Sequence, residues 1–443
     1  MGHHRVGQTP THTSSAAARR ISARVVRGAA ADDRRSRGPA VVNAFRFSAR
    51  GTKFAIFAQP PESGGTPDVV RVRARPGSIA AGPRDATMHV IDARRKFPYR
   101  RDADASLRSR PPYRGRRFPP ARPRGGHFDH LAPGTRAFDA AATFATVRLV
   151  MEIWEHHVGR RIPWYFRATV GPSLEVIPRI SSNNAWSGDG YLELGYPFYP
   201  EPEERDHPYC RNFEWVAHET GHFILKALIG TMPDDEKSLM HRAHEEAAAD
   251  LVALLSALHF DSVLTIALER TRGKLFSINT LSRLGAWGAR SDERLRTLYN
   301  ASTMSVARAA RTVDKYRLAK PFEGAAFDAF VEIFEARLVT LEAIPVSLAR
   351  ASRHAARPAL PGLQRRFEIH YRRTPDRFRR ALALARDEFS ALLAKTWDTT
   401  ARDGVTFSRV LTNMLTAERG LFRGRYAEIL QAAFARRGIA PAS

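Results

Sequence analysis

Cysteine is all but missing. Cys210 is the single one in 443 residues, so no internal disulfide can staple the chain and nothing in its thiol content marks an oxidising compartment. No apolar run approaches the roughly 20 residues needed to span a bilayer. Neither a Walker pattern nor a dinucleotide-binding glycine pattern occurs, and no internal repeat is present. Acids are scarce beside bases, 45 against 70, which leaves a formal net charge of +25. An excess of that size attracts nucleic acid or an anionic membrane surface. The aromatics are not interleaved with the basic residues as base-stacking platforms require, and arginine accompanies abundant Ala, Pro and Gly, as in a GC-rich genome. A compositional origin of the charge is favoured, with nucleic-acid or anionic-surface binding as an alternative.

What is present is ordinary for a globular protein: 43% hydrophobic and 26% charged residues. The length suits two to three domains or one two-lobed unit. Residues 1–40 are Arg-, Ser- and Ala-rich with no acid before Asp32, and read as a disordered basic segment without the apolar stretch of a secretory signal. A cytoplasmic location is the expectation. Over 41–100, short β-like runs at 41–42, 54–58, 69–73 and 88–92 alternate with Pro and Gly and predict a small β-rich region. Residues 101–136 continue an Arg/Pro-rich linker or wrapped arm that begins near Arg94. Apolar residues then recur at helical spacing from Phe138 to Glu155, with His156 and His157 read as helix-terminal cations. Strands are expected at 164–168, 174–177 and, after the Gly188-Asp189-Gly190 turn, at an edge strand 191–195. Beyond residue 260 the pattern predicts helices at 261–271, 278–288, 292–311, 324–341, 376–396 and 405–436. The fold class is therefore α+β, with a lobe over 137–260 and a mostly helical lobe over 261–443.

The chemistry concentrates in Trp215-Val216-Ala217-His218-Glu219-Thr220-Gly221-His222-Phe223, which contains H-E-x-x-H. Residues four apart share a helix face, so His218 and His222 can reach one metal ion, and Glu219 can take a proton from metal-bound water. A salt-bridged helix with two partly exposed histidines is the plain alternative. Apolar flanks at Val216, Phe223, Ile224 and Leu225, and a stop at Gly230 and Pro233, argue for a buried helix instead. A catalytic zinc needs a third protein ligand. Leu225 and Leu228 break the metzincin continuation. The next helix, expected over about 235–259, carries Glu246 and Asp250 four apart among Ala247, Ala248, Ala249, Leu254 and Leu255. Acids in such surroundings need partners. Glu246 as ligand and Asp250 as acceptor from a ligating imidazole would supply them.

H-E-x-x-H followed by E-x-x-x-D in an apolar helix resembles the gluzincin zinc metallopeptidases, specifically the thermolysin-like branch. The resemblance covers about residues 137–340 and implies a zincin-type catalytic domain: a small mixed sheet with an edge strand, plus the H-E-x-x-H helix. It implies His218, His222 and Glu246 as Zn2+ ligands, Glu219 as general base and Asp250 as the partner of His218. Asn184, Ala185 and Trp186 are similar to the family's substrate-pairing edge segment, with one aromatic missing between Ala185 and Trp186. Pro321-Phe322-Glu323-Gly324-Ala325 is similar to a run in uncharacterised bacterial members. Thermolysin-like enzymes also place a tyrosine and a histidine at the oxyanion. Here Tyr316 and Arg317 precede the Pro-Phe run, without a histidine, and His259, Tyr299, His354 and His370 remain as alternatives. The implied function is hydrolysis of peptide bonds in a peptide or protein substrate, through a zinc-bound water activated by Glu219. A catalytically inactive zincin-fold binding protein, and a basic nucleic-acid binder with a structural zinc, are the alternatives.

Overall fold

The computed structural model describes residues 42–59, 65–99, 111–196, 208–276, 305–311, 313–353 and 359–442, with two further short strands at 283–284 and 296–297. The N-terminal 41 residues, Tyr299 and His354 lie outside the described residues, as do most of the helices expected at 278–288 and 292–311. The architecture is mixed α+β. A pair of antiparallel strands, β1 (Thr52–Ile56) and β2 (Asp68–Val72), stands beside a four-stranded sheet. That sheet contains β3 (Met88–Val90), β4 (Leu174–Ile177), β5 (Ala185–Gly188) and β6 (Tyr191–Leu194), in the order β3-β4-β6-β5. Parallel pairing joins β3 to β4 and β4 to β6, and β5 closes the sheet antiparallel to β6. The expected edge strand at 191–195 is therefore interior, and 185–188 forms the edge. The tight turn at Gly188 and Gly190 folds the outer strand back over its neighbour. The two-residue strands β7 (Arg283–Leu284) and β8 (Arg296–Thr297) pair with each other.

Helix α1 (Arg136–Val158) is buried along most of its length; Thr135 accepts from Phe138 N–H at its start, and Gly159 turns left-handed at its end. Residues 164–168 form a turn rather than a strand, because Trp164 enters the core and its indole N–H donates to the Thr87 carbonyl at 2.7 Å. Next come α2 (Phe213–Ile229) and α3 (Leu239–Ala257), which pack closely on each other. α3 begins later than the acids at 234–236 suggest: Ser238 caps it by accepting from His241 N–H at 3.1 Å, while Asp234 pairs with Lys237. α4 (Asp261–Thr271) has the expected bounds. The short α5 (Val306–Ala309) precedes α6 (Lys315–Thr340), which starts nine residues before its apolar periodicity does and takes Pro321 inside it. Two helices, α7 (Val346–Arg353) and α8 (Leu360–Arg373), have no counterpart among the helices that the sequence predicts, whereas α9 (Pro375–Asp398) matches the one expected at 376–396. The single helix expected over 405–436 is two, α10 (Phe407–Phe422) and α11 (Ala427–Ala435), broken where Arg423 and Gly424 both take positive φ.

One apolar cluster runs through these elements from Phe45 to Ile439. The arm is pinned to the sheet by two buried strand carboxylates. Glu193 on β6 takes the Lys96 ammonium at 2.5 Å and the Tyr99 N–H at 2.9 Å, while Glu175 on β4 accepts from the Tyr99 hydroxyl at 2.7 Å and the Tyr113 N–H at 2.9 Å. The stretch around Tyr113 is thus a wrapped arm rather than a solvated linker. No single helix among the described residues is long and apolar enough to cross a membrane.

Candidate metal centre

Two adjacent helices carry the site. Asn212 starts α2 by accepting from the N–H groups of Glu214 and Trp215 at 2.9 and 3.3 Å, and Gly230 ends it at φ +101°, a conformation that a side chain would strain. The glycine inside H-E-T-G-H sets the spacing between helices. A Cβ built on Gly221 would stand 3.0 Å from the Ala249 Cα and 3.2 Å from the Val252 Cβ of α3. Without a side chain there, and with the small Ala249 opposite, α2 and α3 approach closely enough for their polar groups to meet.

They do meet. The His218 and His222 rings lie nearly perpendicular, 4.9 Å between centroids. The Glu246 carboxylate straddles them, Oε2 at 3.5 Å from His218 Nε2 and Oε1 at 3.9 Å from His222 Nε2. One ligand atom from each of the three lies within 4.8 Å of the others. A tetrahedral ion with bonds of roughly 2.0–2.1 Å holds its donors roughly 3.3–3.4 Å apart, so small rotamer adjustments close this set on a cation. Asp250, one turn beyond Glu246, sits with Oδ1 at 2.6 Å from His218 Nδ1. That bond places the ring proton on Nδ1 and turns the Nε2 lone pair toward Glu246. Burial holds the His222 imidazole well below its usual range, against the opposing pull of Glu246, so the ring is neutral and its lone pair is available to an ion. The donor set therefore fits a divalent metal.

Glu219 follows His218 on α2 and is 6% exposed. The edge strand β5 packs alongside α2. Of the expected substrate-binding residues, Asn184 lends its carbonyl to Gly195 N–H at 3.0 Å, Ala185 is buried, and Trp186 packs on the small cluster around Tyr99 and Ile177. One turn past His222, Lys226 joins Trp164, Tyr165, Arg167 and Arg402 around a groove of about 710 Å³.

The residue missed from sequence is Lys315. Its ammonium lies 2.8 Å from Glu246 Oε1, at the first residue of α6. Burial opposes its charge, but Glu246 more than offsets this and lifts its pKa above the ordinary lysine range. No local pattern announces a lysine 69 positions away, and only the packing of α6 on α3 brings it in. Tyr316 is 42% exposed, and its ring centroid is 4.9 Å from the Lys315 Nζ, so it stands at the margin of the site. Two oxyanion alternatives fall elsewhere. His259 lies 13 residues past Glu246, roughly 20 Å along the helix direction, and faces α9 instead. His370 lies in the last turn of α8, which packs on α7 and α9. Cys210 is buried, with its thiol pKa pushed up by burial, and takes no part. No protein-family model matches this chain, and no curated protein shows significant similarity to it.

Proposed function

We propose that the chain is a zinc-dependent peptidase acting on peptide or protein substrates. The observation that carries the reading is the meeting of His218, His222 and Glu246, with Asp250 fixing the tautomer of His218. Zinc bound there supplies a Lewis acid that polarises a peptide carbonyl and acidifies water. The chain's residues do the rest. Glu219 takes the proton of the attacking water and delivers it to the leaving amine. Lys315 and, at the margin, Tyr316 offer positive charge and a hydroxyl to the oxygen that becomes negative. Among the described residues β5 is an edge strand, and its outer backbone groups offer an extended peptide a strand to pair with. Retention of Glu219, which merely holding an ion does not require, favours catalysis.

A second reading has its own observation. The ion pair between Lys315 and Glu246 places a competing cation on a ligand, as suits a zincin-like binding protein without activity. One experiment separates the two: metal content by elemental analysis together with digestion of a peptide library. The peptidase reading expects about one zinc at this site, retained in Glu219→Gln with proteolysis lost, and both lost in Glu246→Ala. Equal proteolysis by wild type and Glu219→Gln would overturn it; zinc retention with no cleavage by wild type would favour the binding protein.

A further inference from the structure

A second convergence of donors lies at the other end of α3. His157 comes from the last turn of α1, His259 from the turn after α3, and Asp387 from α9; one ligand atom of each lies within 4.8 Å of the others. The imidazole planes of His157 and His259 stand 5.8 Å apart by centroid.

The hydrogen bonding around these rings is incomplete. His259 Nδ1 lies 2.9 Å from the Leu255 carbonyl, which can only accept, so the ring proton is on Nδ1. The other nitrogen, Nε2, then carries a lone pair, and it faces Asp387 Oδ1 at 3.5 Å. Two acceptors point at each other. Nε2 is buried and has no hydrogen-bond partner among the described residues. His157 completes the set: both its ring nitrogens are buried and neither has a hydrogen-bond partner among the described residues. Its ring packs against Trp154 and His259 rather than standing at a solvated helix end. An imidazole without partners is costly unless something binds its lone pair.

The surroundings suit an ion held for structure. Arg386 grips Asp387 with both Nε and Nη2 at 2.9 Å, fixing the carboxylate as an outer partner does for a ligand. It also gives Nη1 to the Leu258 carbonyl at 3.0 Å, beside His259. Phe45 packs edge-on to His259 at 5.3 Å, and Trp154 lies against His157 at 6.2 Å. We propose that His157, His259 and Asp387 form a second metal site, which takes zinc or a neighbouring divalent transition metal that prefers imidazole and ties α1, α3 and α9 together.

Zn2+ alone, added to metal-stripped full-length protein, tests this without reference to activity. Wild type is expected to take two equivalents, Glu246→Ala one, His157→Gln one, and the double variant none. Failure of this proposal and failure of the peptidase reading leave different records. If His157→Gln binds as much as wild type, the second site falls; if Glu246→Ala does, the first falls. Since His157→Gln could perturb folding, anomalous scattering at the zinc edge from zinc-loaded wild-type crystals gives an independent decision. A peak between His157, His259 and Asp387 supports the proposal, and its absence overturns it.

Discussion

Lys315 Nζ and Glu246 Oε1 lie 2.8 Å apart, a cation already seated on a carboxylate of the candidate metal site. Because Glu246 lifts the lysine above its ordinary range, the ammonium stays charged through neutral and mildly alkaline pH. A divalent ion arriving at the two imidazoles meets that charge within a few ångströms. Lys315→Met is therefore expected to bind Zn2+ more tightly, on the order of tenfold or more, measured by competition with a chromogenic chelator. Cleavage by the same variant should fall, since the group offered to the oxyanion is gone. An unchanged zinc affinity would mean that the lysine swings clear when the ion binds.

In the proposed site Asp250 would act on the ion through His218, and its removal should separate tautomer control from ligation. Asp250→Asn keeps the shape but can donate as well as accept, so the proton on His218 Nδ1 is no longer enforced. The expected loss is about 10–100-fold in zinc affinity, with the helical circular dichroism unchanged. A variant that bound zinc like wild type would show that packing alone orients the ring.

Much of this centre was legible because it is written in helix periodicity. Residues 218, 219 and 222 on one helix, and 246 and 250 on the next, are local patterns that survive whatever the rest of the chain does. Lys315 was not legible, because its role depends on α6 crossing α3 and no spacing encodes that crossing. The same division runs through the fold. Apolar spacing marked α1, α2, α4 and α9 well. It misread Trp164–Ala168, whose aromatics look like a strand but turn inward to pack on Phe223. It also put the sheet edge one strand too late, since β6 is the strand that pairs with β4 and β5 is left outside it, an order that neither sequence encodes. The break at Arg423 and Gly424 was hidden inside an amphipathic run, although glycine after an apolar stretch is a stop signal. His157 looked like a helix-terminal cation because nothing near it in sequence shows the packing of α9.

Gly221 is the least conspicuous member of the motif and the one that sets how near the two helices come. An added methyl would sit 3.0 Å from the Ala249 Cα, and a backbone atom cannot rotate aside. Gly221→Ala gains about 1 kcal/mol in helix propensity. Against this stands the cost of an overfilled contact, typically about 1–3 kcal/mol. Denaturant unfolding should show a small net loss of stability. The loss in zinc affinity should be larger than that, because a shift of a few tenths of an ångström widens the distance from Glu246 to both imidazoles.

Glu335 gives a pH dependence with a definite sign. The residue is fully buried on α6, accepts from the Ser352 hydroxyl at 2.7 Å, and is pushed from 4.5 up to about 8, chiefly by burial. Its folded pKa lies above its unfolded one, so the folded chain holds the proton more tightly. The stability this provides is complete below about pH 4.5 and is lost as pH rises through about 8. Glu335→Gln keeps the hydrogen bonds of the neutral acid and removes the titration. The difference in unfolding free energy between wild type and variant should therefore change by a few kcal/mol between pH 5 and 9, with the variant gaining relative to wild type at the alkaline end. Other buried acids with the same sign, such as Asp328, are common to both proteins and cancel in the comparison. Parallel stability curves over that range would place the Glu335 proton elsewhere, with the acid already ionised in the folded chain.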